Sequence, residues 1–530
     1  MSNRLKEPPP RSISNVLAYL PAITGTLSLM AFLGMMAVAL YTPFTAFDDS
    51  YMFVRYARNL WEGYGYTWNT AGPPADGLTS PLWFAVVALF YPLASQESLE
   101  QGAFLATLSF ASTVLLTIAL YVLARLNLPP RLRVLAILAP FWLTISAFNV
   151  GGIAGSGMET ALAALALVLL LWRVSALQRA ETFSRVNGVG LGAGIFLGIL
   201  ARPEFGLFLG MPLIAILVYR KTHPHFAAAM SKAFVAAFLL LCLYAIWRIW
   251  MFGTLLPLSF SAKGNIWNIP YEDYSPEAAQ RLRAFVFYYL KDSFHIHLAI
   301  WIGLSRNRLW LRMAHLWVPL YGIVLYLSTT FQLMGHGHRY YIPTLCGLLV
   351  LLLLAWLPEK RNAPTAADHR ITAFFDLLTA IALAICAWGY ATYPWLQRRQ
   401  YATKPVPSDV IQTPLGAIPE GTRVAATEVG RLGVLLPQAT ILDLAGLNSP
   451  EYTQGFDADV FFAQQPDVIT LVHPDYRAMN RAILEDPRFI DNYACGQVFL
   501  HIGPATCDQL LSSIHVRKDW ASSSTLRLEP

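Results

Sequence analysis

Apolar segments of roughly membrane-spanning length recur through the first 396 residues, near 15–40, 99–124, 133–148, 157–174, 187–201, 203–219, 232–252, 285–304, 314–331, 340–357 and 371–394. A helix needs roughly 20 apolar residues to cross hydrocarbon, because each backbone polar group must be satisfied within the segment. About eleven such segments commit this region to an all-α polytopic membrane bundle. Composition agrees: 55% of the 530 residues are hydrophobic and 13% charged, about half the charge of an ordinary soluble domain. The first segment is too long to be a removable signal peptide, and it lacks a small-residue cleavage site.

Basic residues set the expected orientation, since Lys and Arg stay on the cytoplasmic side. With the N-terminus inside, six cytoplasmic segments carry 18 of them, three each, against 7 in the outer loops. That asymmetry holds if the apolar run 81–93, with Pro81 and Pro92, lies at the outer interface and does not cross. An odd number of crossings then puts residues 397–530 outside. The net charge of +6 is accounted for by topology and calls for no nucleic acid. Cys242, Cys346 and Cys386 fall in expected spans, whereas Cys495 and Cys507 share the outer compartment and are expected to form a disulfide.

The chain thus divides into a membrane domain, 1–396, with a long first outer loop at 41–98, and a soluble α/β domain, 397–530. The second begins after Lys404-Pro405-Val406-Pro407, where apolar residues arrive in short clusters. RVAATEV, ATILDLAG, DVITLV and QVFLHI read as strands, and 476–485 as a helix. No Gly-rich phosphate loop, HExxH or zinc-spaced Cys/His cluster is present.

Polar residues gather at the outer helix ends. The first loop carries the adjacent acids Asp48 and Asp49, then Arg55, Arg58 and Asp76. Residues 50–61 suit a helix, with Asp48 or Asp49 as its N-cap. Further groups are Gly157-Met158-Glu159-Thr160, Arg202-Pro203-Glu204, Leu256-Pro257 through Lys263, and His336-Gly337-His338-Arg339-Tyr340-Tyr341. Carboxylates at the mouth of a membrane helix are costly unless paired, ligated or used in chemistry.

The run FDDSYMFVRYARNLWEGYGYTWN, followed by Asp76-Gly77-Leu78-Thr79-Ser80-Pro81-Leu82-Trp83, resembles polytopic GT-C glycosyltransferases. It is most similar to the branch holding the terminal arabinofuranosyltransferases of mycobacterial cell walls and the pilin arabinosyltransferases of pseudomonads. The likeness continues through Gly157-Met158-Glu159-Thr160, Ala201-Arg202-Pro203-Glu204, Gly253-Thr254-Leu255-Leu256-Pro257, His338-Arg339-Tyr340-Tyr341 and Leu442-Asp443-Leu444-Ala445-Gly446-Leu447. It implies a bacterial inner-membrane transferase working on the periplasmic face. The implied donor is a polyprenyl-phosphate sugar, D-arabinofuranose in that branch, and the acceptor an envelope glycan or pilin. Other lipid-linked sugars, mannose or aminoarabinose, remain the alternative, and a lipid-sugar flippase a lesser one. The resemblance gives the catalytic role to Asp48 and a supporting role to Asp49.

The chemistry such a reaction needs is present. A carboxylate can take the proton of an attacking hydroxyl, and fixed cations stabilise a departing phosphate. Arg58, Arg202, Lys263 and Arg339 are the candidate cations, with Glu159, Glu204, His338 and Tyr340 the other candidates for substrate binding. A divalent cation (magnesium, manganese or calcium) held by Asp48 or Asp49 could share the task. If the donor configuration is retained, Asp48 would instead serve as nucleophile.

Overall fold

Leu-, Ala- and Val-rich runs without charge become helices because, where no water reaches the backbone, only internal hydrogen bonding satisfies it. The computed structural model describes residues 46–94, 98–127, 155–179, 185–262, 289–306, 309–329, 339–356, 419–453, 455–470, 477–496 and 514–523. The expected spans at 15–40, 133–148 and 371–394 lie outside the described residues. So do Lys263, His336, His338, Cys507, the side chain of Cys495 and the expected strand at QVFLHI.

The first element is α1, Asp48–Trp61, followed by α2, Pro81–Phe90. Then come α3, Ser98–Asn127, α4, Thr160–Arg179, α5, Arg185–Ala201, α6, Gly210–Tyr219, and α7, Pro224–Phe252. Three more follow: α8, Lys291–Arg306, α9, Ala314–Thr329, and α10, Ile342–Trp356. Among the described residues three helices, within α3, α4 and α7, are long and apolar enough to cross a membrane, and five other apolar helices are shorter. The stretch 203–219 is one apolar helical run with two geometries. Pro203–Leu209 winds as a 3-10 helix before α6 begins, where Pro203 and Gly206 weaken α-helix formation.

Helices α4, α9 and α10 share one apolar core built from Leu167, Leu171, Leu320, Ile323, Cys346 and Leu349. Helix α5 packs along α7, its Gly188 and Gly192 lying against Ala229 and Ala233; small residues let membrane helices approach closely. The other side of α7 leaves Phe238, Leu239, Leu243, Ile246 and Trp250 exposed. Such a stripe is costly in water and suited to hydrocarbon.

The run 81–93 forms α2 and a 3-10 turn, Tyr91–Leu93. Thirteen residues of helix reach about 20 Å, short of the roughly 30 Å hydrocarbon core. Leu89 and Leu93 are exposed, whereas Trp83 and Val87 pack inward.

Among the described residues the tail is an α/β unit around a mixed sheet of five strands, in the order β2-β1-β3-β5-β4. The strands are β1, Arg423–Ala426, β2, Thr440–Asp443, β3, Val468–Thr470, β4, Tyr493–Gly496, and β5, Ile514–Arg517. β1 pairs in parallel with β2 and β3, while β5 runs antiparallel to β3 and β4. Alternation of side chains along a strand divides the sheet into two faces. Ala425 and Ile469 pack with Tyr452, Phe461 and Ile483 of the tail. Val424, Ala426, Ile441, Val468 and Val516 face the other way and join one core with Tyr51, Tyr56, Trp68, Leu78 and Trp83 of the first loop. The tail sheet is therefore the floor on which α1 rests.

Candidate active site

Asp48 and Asp49 open α1, where the N-terminal end of the helix dipole favours carboxylates. Neither caps it. The N-cap is Phe47, with no side-chain cap, which corrects the expectation from sequence. Asp48 instead reaches α11, Gly430–Leu435, in the tail. Its Oδ2 accepts the Gly430 N–H and its Oδ1 the Arg431 N–H, both at 2.8 Å. A Cβ at Gly430 would stand 1.8 Å from the Asp48 carbonyl oxygen, so only glycine permits this approach. Burial pushes the Asp48 carboxyl up to about 6, against the pull of those two N–H groups, and the Asp49 charge adds to the rise.

Asp49 turns toward the membrane helices. Its Oδ2 accepts from Arg339 Nη2 at 2.8 Å, just before α10. Arg339 is 2% exposed, and its Nε and Nη1 are buried with no hydrogen-bond partner among the described residues. The Tyr340 ring lies between two guanidinium groups, 5.1 Å from Arg339 and 4.8 Å from Arg202. Arg202 donates to Glu159 Oε1 at 2.7 Å and to Glu204 Oε1 at 2.7 Å. All three side chains of that triad are at least nine-tenths buried, and Glu159 Oε2 has no partner among the described residues.

Glu159 stands here because of the turn before α4. Gly157 adopts φ +71°, and a Cβ there would meet Ser50 Oγ at 2.8 Å. That turn is tied to α1 and α2 by the Phe47 N–H to Ser156 oxygen bond at 3.0 Å and the Trp83 Nε1 to Gly157 oxygen bond at 3.0 Å. The structure thus gathers Asp48, Asp49, Glu159, Arg202, Glu204, Arg339 and Tyr340 from four separate segments.

Arg58 is not among them. It lies nine residues beyond Asp49 on the same helix, about 14 Å along the axis. Its guanidinium donates to Pro437 oxygen and Asn59 Oδ1, both at 3.2 Å. The fourth expected cluster enters the fold differently: its Leu258 N–H donates to the Asp76 carbonyl at 2.9 Å. Beside it, Arg248 of α7 forms a buried pair with Asp76 and donates to Leu255 oxygen at 2.6 Å, anchoring the first loop to the membrane helices.

Two features are invisible in the sequence. The first is Arg55, fully buried over the Trp68 ring. It donates to the carbonyls of Trp68, Gly433, Leu436 and Ala439 and to Asn69 Oδ1, clamping loop to tail. Burial, then the Arg58 charge, lowers its guanidinium to about 9. The second is the acidity of the tail. The expected strand RVAATEV stops at Ala426, so Glu428 belongs to the turn between β1 and α11. Asp443 closes β2, accepting the N–H groups of Ala445 at 3.0 Å and Asn448 at 2.9 Å. Burial pushes Asp443 up to about 7.

The divalent cation expected at Asp48 or Asp49 would meet acids that already have partners. Both oxygens of Asp48 accept backbone N–H groups, and Asp49 is paired with Arg339. Among the described residues no group of three or more His, Cys, Asp or Glu side chains is disposed to hold a metal.

Residues 397–520 match a family model described as Domain of unknown function (DUF8728). No curated protein matches the chain. Solved structures do. ArnT from Cupriavidus metallidurans bound to undecaprenyl phosphate aligns with a TM-score of 0.53 at 13% identity, covering 92% of this chain and 97% of that one. The Archaeoglobus fulgidus oligosaccharyltransferase, tethered with an acceptor peptide containing the NVT sequon, aligns at 0.51 and 12%, covering 96% and 77%. The same enzyme in complex with Zn and sulfate aligns at 0.52 and 15%, covering 95% and 76%. These likenesses show the fold alone: the chain shares its overall architecture with those proteins over most of its length.

Proposed function

We propose that this chain is a glycosyltransferase that moves a sugar, D-arabinofuranose, from a polyprenyl-phosphate donor to an envelope glycan or pilin acceptor on the periplasmic face. The observation that carries the reading is the Asp49–Arg339 pair: a buried guanidinium beside a carboxylate, with two nitrogens that have no partner among the described residues. Such a pair offers both halves of the chemistry. The carboxylate takes the proton of the attacking acceptor hydroxyl. The guanidinium receives the oxygens of the departing phosphate, for which its planar fork is suited. As the acceptor oxygen bonds to the anomeric carbon, the bond from that carbon to the phosphate oxygen breaks, and the lipid phosphate leaves as an anion.

Within this reading the roles differ from those the resemblance assigned. Asp49 is the base, because Asp48 is engaged by the tail and holds α1 in position. Arg202 and Tyr340 keep Arg339 in place. The ArnT bound to undecaprenyl phosphate supports a lipid-phosphate donor, and it also favours a second reading, the same reaction with an aminoarabinose or other lipid-linked sugar.

The test is transfer by purified protein in nanodiscs, offered polyprenyl-phosphoryl arabinofuranose, mannose and aminoarabinose with a short arabinan acceptor. Asp49→Asn should lose at least about 100-fold in the rate of the folded fraction, the scale of a missing general base, together with a lower unfolding temperature, since Arg339 loses its carboxylate. Product from Asp49→Asn at the wild-type rate removes Asp49 from the chemistry. Consumption of an amino sugar alone selects the second reading.

A further inference from the structure

The turn that seats Asp48 carries two buried polar groups that folding leaves unused. Thr427 is 5% exposed, and its Oγ1 has no hydrogen-bond partner among the described residues. The same holds for Oε1 of Glu428. Gly430 and Arg431 follow directly and hold Asp48, so the turn is fixed against the acid pair. Arg339, bonded to Asp49, adds two nitrogens with no partner among the described residues. An unmade hydrogen bond in a buried site costs stability, and Glu428 stands close enough to Asp48 and Asp49 to feel both charges.

The protonation state indicates what they receive. Burial, followed by the charges of Asp48, Asp49 and Asp443, holds the Glu428 carboxyl well above the usual carboxylate range. A protonated carboxyl donates one hydrogen bond and accepts others, as does a threonine hydroxyl. Each hydroxyl of a sugar does the same, so the two match a polyol and not an anion.

We propose that Thr427 and Glu428 form a sugar-hydroxyl subsite, contributed by the tail to the active site. The inference rests on the transfer reading and deepens it, since the tail would then read carbohydrate as well as brace the loop. The sugar is that of the donor or that of the acceptor, and the kinetics separate the two.

The experiment uses the full chain in nanodiscs, with the three lipid-linked donors above and an arabinan oligosaccharide. Wild type, Glu428→Gln, Glu428→Ala and Thr427→Val are compared with the exposed control Glu485→Gln. An amide also donates and accepts, so Glu428→Gln should keep KM within about threefold, whereas Glu428→Ala should raise it about tenfold or more. Thr427→Val should raise the same KM severalfold. A rise in the donor KM identifies the donor sugar as occupant, and a rise in the acceptor KM identifies the acceptor. Glu428→Gln as damaging as Glu428→Ala would overturn the proposal, because the carboxylate would then act ionised. Unchanged KM values in Glu428→Ala and Thr427→Val would overturn it too. If Glu428→Ala does not fold, Glu428→Gln and Thr427→Val carry the comparison. Wild type inactive with every donor removes the transfer reading, and the subsite is then read from thermal stabilisation by the oligosaccharide. That stabilisation should survive in Glu428→Gln and vanish in Thr427→Val; its absence from wild type overturns the subsite as well.

Discussion

Adding one methyl group to Gly430 should detach the tail from the first loop. The new Cβ would lie 1.8 Å from the Asp48 carbonyl oxygen and 2.6 Å from its carbon. Carbon and oxygen in contact need about 3.3 Å or more, so α11 must withdraw by about 1.5 Å. Both N–H to Asp48 bonds, each 2.8 Å, would then be too long to count. Hydrogen bonds to a charged group contribute about 1.5–3 kcal/mol each. The loss of two is about 3–6 kcal/mol, less roughly 1 kcal/mol for replacing glycine with alanine in a helix. A net weakening of about 2–5 kcal/mol is therefore expected. Limited proteolysis of the full chain in detergent, with the unfolding temperature measured in parallel, reads it directly. Gly430→Ala should release a tail fragment under conditions where wild type stays intact. Wild-type protease resistance and an unchanged unfolding temperature would refute the argument, since the clasp would then hold no strain.

Other consequences follow from the buried charges. Arg202→Met should destabilise the membrane domain by about 3–5 kcal/mol, the cost of leaving buried acids unpaired, read as a lower unfolding temperature; Glu159 and Glu204 are the acids concerned. Stability should fall as pH rises. Asp48 and Asp443 have folded values of about 6 and about 7 against 3.8 for a free aspartate, so the folded state binds protons more tightly. Their contribution is complete below pH 4 and is lost as pH passes through 6 and 7. Asp443→Asn should flatten the upper part of that decline in unfolding temperature between pH 5 and 8; an unaltered slope would show that Asp443 does not titrate there.

The parts of the site visible in sequence were those where charge interrupts apolar chain. Glu159, Arg202, Glu204 and Arg339 stand out because a spanning segment has no other reason to carry them, and the fold joins them into one network. The partner of Asp48 could not be seen, because a helix N-terminus some 380 residues downstream outcompetes the local capping position. Glu428 was hidden for a different reason. Thr427, Glu428 and Val429 extend the apolar pattern of β1, but neither β2 nor β3 pairs beyond Ala426. β4 and β5 escaped notice because Tyr493–Gly496 and Ile514–Arg517 are too short to show alternation. Arg55 looked like an ordinary loop cation, since its acceptors are backbone carbonyls, which leave no trace in a sequence.

Arg55 also bears on the order of events during synthesis. Its guanidinium meets the Gly433 carbonyl across 378 residues of chain. At about 5–20 residues per second, the loop waits on the order of tens of seconds for the segment that covers it. Throughout that interval a cation destined for the interior stays hydrated, and α1 has no floor. The ribosome therefore delivers the acid pair early and its support last, so a nascent chain carries an unassembled centre until its final hundred or so residues emerge. Pulse-labelled chains should accordingly gain protease resistance in the first loop only once the tail has been made.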